Sequence, residues 1–109
     1  MEGLTLPVER PCAYNVYWMY GVLVQDAFGC SRDELMSQLA ERGVETRPFF
    51  IPLHEQPSLH ERGLFRGEEY PVASDVGRRG LYLPSSTGLS DDEIMTVVDA
   101  VGEVQREVR

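Results

Sequence analysis

Two phrases of the sequence, "SRDE" at 31–34 and "SDDE" at 90–93, set a serine three residues before a glutamate, each directly ahead of apolar residues at helical spacing. In such a capping box the serine hydroxyl accepts the amide of the third helical residue and the glutamate reaches back to the serine amide, so each phrase fixes where a helix begins. The first helix carries Leu35, Met36, Leu39 and Ala40 on one face and meets Gly43 as its stop, which predicts a helix over 32–42. The second carries Ile94, Val97, Val98 and Val101 on one face; Gly102 weakens it without ending it. The rest of the chain must be arranged around these two helices.

"YNVYWMYGVLVQ", residues 14–25, is rich in β-branched and aromatic residues, with Tyr14, Val16, Trp18, Tyr20, Val22 and Val24 on one alternating face. The pattern predicts one long strand. "VETRPFF" predicts a short strand in which Pro48, lacking an amide donor, sits on an edge or at a strand end. Residues 51–69 read as a loop with one helical turn near 58–61, and a loop of that length points to a functional or partner-covered segment. Pro71 suits the first turn of a helix over Val72, Ala73 and Val76 that stops at Gly80, and "LYLP" reads as a short strand. The order strand, helix, strand, loop, helix, strand, helix predicts an α/β (α+β) domain: a small sheet of about three strands with helices on one face. Strand direction stays open. The uncovered face, aromatic along the first strand, is a reasonable partner surface.

At 109 residues the chain is long enough for one domain with one modest core. A net charge of −8, with Arg78-Arg79 the one basic pair, argues against nucleic acid as a partner. There is no apolar run long enough to span a membrane and no basic-then-apolar start, so the expected location is the cytoplasm. Cys12 and Cys30 form no CxxC pair and are expected as reduced thiols. All ten basic residues are arginines. With no lysine, no side chain of this chain can form a Schiff base to a carbonyl or to a pyridoxal cofactor.

"HEQPSLHE" gathers two histidines and two glutamates, but His54 and His60 are six apart with Pro57 between them, not four apart on one helical face, so no metal site is assigned. No G-x-S-x-G serine and no nucleotide-binding glycine fingerprint is present, and no catalytic residue is assigned. "ETRPFFIPLH", residues 45–54, is different. Arg47 offers a planar cationic fork, Pro48 and Pro52 stiffen the backbone around Phe49 and Phe50, and His54 ends the run. Two readings stand: an edge strand whose phenylalanines fill the core and whose arginine pairs with an acidic neighbour, or a binding site on a rigid scaffold.

Taken in order, "AYNVYWMYGVLV", "SRDELMSQLAERGVETRPFFIPLHEQP" and "YPVASDVGRRGLYLPSSTGLSDDEI" resemble the C-terminal small domain of the DegT/DnrJ/EryC1/StrS aminotransferases, nearest to their perosamine synthase-like nucleotide-sugar members. The resemblance implies residues 1–13 as an inter-domain join and 14–109 as the small domain. It implies the aspartate aminotransferase fold and, in the full-length family, pyridoxal phosphate held by a lysine of a large domain that these residues do not include. The expected activity of the whole is transfer of an amino group, typically from glutamate, to a nucleotide-linked keto sugar. This chain alone is expected to be catalytically silent and to bind no cofactor by itself. The resemblance assigns Arg47, Phe49 and His54 to substrate or cosubstrate contact. Tyr17, Trp18 and Tyr20 are candidates for an interface, with the missing large domain or with a second copy. The alternative is a free-standing interaction module that reuses the domain, as a homodimer through residues 14–24.

Overall fold

Both capping boxes close in the computed structural model, which describes residues 1–109. Ser31 Oγ accepts the Glu34 amide at 3.3 Å while Glu34 accepts the Ser31 amide at 2.8 Å, opening α1 (Arg32–Glu41). Ser90 and Glu93 repeat the pair at 3.3 and 2.8 Å and open α4 (Asp91–Val108). The serine amides, and then the serine hydroxyls, hold both carboxyls below the usual carboxylate range. A carboxyl whose folded pKa is depressed stabilises the fold above its unfolded pKa and loses that contribution as pH falls through the folded one. The urea midpoint should therefore be level from pH 7 to about 5 and drop below the usual glutamate range near 4.3. The drop should be shallower in Glu34→Gln/Glu93→Gln; an identical acid limb in that variant would remove the boxes as its cause.

The remaining elements are β1 (Leu4–Thr5), β2 (Tyr20–Val24), β3 (Arg47–Pro48), α2 (Pro57–Glu61), α3 (Pro71–Arg79) and β4 (Gly80–Leu83). The four strands form one sheet in the order β1-β2-β4-β3, antiparallel throughout, with Val22 opposite Leu81 and Pro48 opposite the same leucine from the edge. Pro48 thus occupies an edge strand, where its missing donor costs no ladder bond. The sheet has one strand more than the sequence predicts, because β1 is two residues long and carries no local signal.

Val22, Val24 and Leu81 point to the face covered by α1 and α4, where they meet Phe28, Leu35, Leu39, Ala100, Val101 and Val104. Phe28, Leu35, Leu39, Leu81, Val22 and Val104 are each under 2% exposed. Burial of a side chain of this size contributes about 1.5–3 kcal/mol, so these six dominate the core. Phe28 enters it from a 3₁₀ turn, Asp26–Phe28, between β2 and α1. No residue from 45 to 79 belongs to the core.

Two expectations are corrected. The long strand over 14–25 is strand only from Tyr20 to Val24. Its partner β4 ends at Leu83, before Pro84, so pairing stops at Tyr20 opposite Leu83. Beyond it Asn15 Oδ1 accepts the Tyr17 amide at 2.9 Å and Tyr17 takes φ 48°, a left-handed conformation that no strand contains. The second correction concerns α3, whose expected apolar face stays outside the core: Val72 is exposed and no residue of the helix is buried. Polar contacts hold it instead, with Arg32 Nη1 donating to Gly80 O at 2.9 Å and Arg79 Nη1 to Gln25 Oε1 at 2.7 Å.

Candidate functional site

Registering β3 against β4 puts Arg47 directly opposite Tyr82, on the sheet face away from α1 and α4. Phe49 continues that edge, its amide donating to Gly80 O at 3.0 Å. Its ring stacks on Tyr82 with centroids 4.4 Å apart and lies over Gly80 and Gly21. A Cβ built on Gly80 would come within 2.3 Å of that ring, so both the glycine and the sheet geometry shape a slot for Phe49. Phe50, by contrast, is exposed, with its ring 5.8 Å from Tyr82 on the open side.

Arg47 donates from Nη2 to Glu45 at 2.9 Å, and the two side chains are 77% and 81% exposed. An ion pair so fully in water is worth little, which leaves the guanidinium free to exchange Glu45 for another anion. It stands at the rim of a hollow of about 650 Å³ shared with Phe50, Tyr82, Ser85 and Glu93. Pro48 separates this hollow from a second, of about 730 Å³, whose walls include Phe49, Arg32, Pro52, Ser74 and Arg78.

His54 lies elsewhere again. Its side chain is 10% exposed, and Nε2 donates at 2.9 Å to Ser74 Oγ, whose own proton goes to Glu55 at 2.5 Å. Its ring also packs 4.9 Å from Tyr70. Arg47, Phe49 and His54 therefore come from one stiff run but stand in three settings: an open rim, a glycine slot and a polar knot on α3. Tyr82, which with Phe50 completes the aromatic wall beside Arg47, carries no signal of its own in the sequence. No group of three or more histidine, cysteine, aspartate or glutamate side chains gathers at metal-binding distance.

Tyr17, Trp18 and Tyr20 do come together. They line an apolar groove of about 800 Å³ with Leu6, Ile94 and Val98. Tyr17 stacks on Tyr20 at 5.8 Å, while Trp18 is 75% exposed. Ile94 and Val98, which share the apolar face of α4 with the buried Val101, are each 46% exposed. The cause is length: α4, at 18 residues, spans roughly 27 Å, whereas a five-residue strand spans roughly 17 Å. Its first turns overhang the sheet and their apolar face is left for something else.

The chain matches the model of the DegT/DnrJ/EryC1/StrS aminotransferase family over residues 2–102. It is 34% identical over 95 residues to the GDP-perosamine synthase of Escherichia coli O157:H7, covering 87% of this chain and 24% of that protein. The GDP-perosamine synthase of Vibrio cholerae is 30% identical over 103 residues, with 93% and 28% covered. Among solved structures, the aminotransferase TlmJ from Streptoalloteichus hindustanus superposes with a TM-score of 0.79 at 27% identity, covering all of this chain and 28% of that one. The chain thus spans about a quarter of the length of the relatives it matches.

Proposed function

Because the chain belongs to the DegT/DnrJ/EryC1/StrS aminotransferase family, a family of pyridoxal-phosphate enzymes, we propose that it serves as the C-terminal small domain of an enzyme that aminates a nucleotide-linked keto sugar. The absence of lysine carries the division of labour. The residues present do not fit covalent capture of the cofactor's aldehyde: ten arginines and no lysine leave no side-chain amine, and no polar side chain is buried. The chain is catalytically silent by itself, and the chemistry belongs to a large domain outside these residues.

In that setting Arg47 contacts an anion, either the carboxylate of the glutamate donor or a phosphate of the sugar nucleotide, for which its planar fork is suited. Phe49 forms the stacked aromatic wall beside it, and His54, held by Ser74 in a separate setting on α3, is the third residue assigned to substrate contact. Residues 1–13 are the join between domains, with β1 tying that join to the sheet of domain 14–109. The groove at Tyr17, Trp18 and Tyr20 receives the rest of the enzyme, since an exposed apolar surface of this kind favours association.

The same groove supports a second reading, a free-standing interaction module that pairs with its own copy there. An immunoblot of source cells with antibody to this domain separates the two. A band well above 12.3 kDa is expected, and Arg47→Ala in that larger protein should lower kcat/KM for transamination by about 10- to 100-fold. A band at 12.3 kDa would instead establish the stand-alone module, and unchanged kinetics would return Arg47 to its pairing with Glu45.

A further inference from the structure

The segment between β3 and α3 is attached to the domain in an unusual way. Within residues 51–69 every backbone hydrogen bond is made to another residue of the same segment. None of these residues is buried. Three of them, Gly63, Phe65 and Gly67, take positive φ, so the segment is folded on itself by tight turns rather than by the sheet. Its ties to the body are made by side chains alone. Pro52 rests on Gly77, the His54 and Phe65 rings pack on Tyr70 at the start of α3, and the polar ties converge on one atom, Ser74 Oγ of α3.

That hydroxyl is fully committed. Its proton is donated to Glu55, so toward His54 its oxygen acts as acceptor, which requires His54 to carry a proton on Nε2. The His60 ring donates in turn to the His54 carbonyl, linking α2 to the same knot. Helix α3 itself stays with the body through Arg32 and Arg79. One side is thus anchored, the other is self-contained, and a single serine carries the hydrogen bonds between them.

We propose that residues 53–69 form a hinged flap latched to α3 by the Ser74 hydroxyl, which positions His54 and Glu55. Latched, the flap sets the Glu55 carboxylate beside Ser74 in the lining of the hollow that reaches Phe49. Released, it withdraws that carboxylate, so the latch decides whether the hollow presents Glu55. This rests on the geometry of the knot and holds whichever polypeptide carries the domain.

Hydrogen exchange on the 109-residue chain, read by mass spectrometry, tests it. In Ser74→Ala, which removes the bonds to Glu55 and from His54, amides of residues 53–64 should exchange at least about tenfold faster, while amides of α4 keep their wild-type rates. Ser74→Thr, which retains the hydroxyl, should restore slow exchange. Unchanged rates over 53–64 in Ser74→Ala would overturn the proposal. So would equal acceleration in the flap and α4, which reports global loosening, or failure of Ser74→Thr to restore protection.

Discussion

Phe28→Ala should destabilise the chain by about 3–5 kcal/mol, the usual cost of emptying a phenylalanine site in a core that cannot collapse around the void. Phe28 is 0% exposed and is the largest fully buried side chain. Its backbone also lies against Gly3, whose φ of 77° and close approach to the Phe28 amide leave no room for a side chain, so the backbone that carries the ring is fixed in place. Small domains have about 5–15 kcal/mol in total, so the variant should be largely unfolded in mild denaturant. Trp18→Ala, removing a larger ring that is 75% exposed, should shift the urea midpoint by less than about 0.5 kcal/mol equivalent. A comparable loss from both substitutions would show that the groove is part of the core.

Gly80→Ala should cost about 1–3 kcal/mol, the range for forcing added volume into a packed site. Its new Cβ would fall 2.3 Å from the Phe49 ring, and the atoms it meets include Cγ, which cannot swing away without a rotamer change. The cost should be coupled to that ring. In the Phe49→Ala background, Gly80→Ala should be close to neutral, because the obstacle has gone. Equilibrium unfolding of the four proteins of this cycle gives the coupling directly. Additive costs would mean that Phe49 does not occupy the slot in solution, and would free it for the substrate-facing role that the family resemblance assigns it.

How far the sequence disclosed this molecule depends on the range of each interaction. Helix starts were legible because Ser31 with Glu34, Ser90 with Glu93, and Pro71 at a first turn act within four residues. Pro48 on an edge was legible for the same reason. The length of β2 was not, since alternation from Tyr14 to Val24 is a local property while strand pairing needs a partner, and β4 supplies only Gly80–Leu83. At the site, the stiff cationic and aromatic run announced itself. What it could not announce were partners distant in sequence: Gly21 and Gly80 beneath Phe49, Tyr82 beside Arg47, and Ser74 bound to His54. A one-dimensional pattern shows which side chains are available, and the sheet decides which of them meet.

The stretch from residue 45 to 79 contributes nothing to the buried core. In evolutionary terms this makes it a region of low mutational cost. Substitutions there, Phe49 and the Pro52–Gly77 contact aside, should cost far less than substitutions in the core, because the buried residues lie in the first 44 residues and the last 30. Selection is then free to rework the rim, the hollows and the flap for a new specificity while the scaffold is inherited unchanged. Diversification of such a domain should therefore proceed by rapid change inside this window against slow change on either side of it.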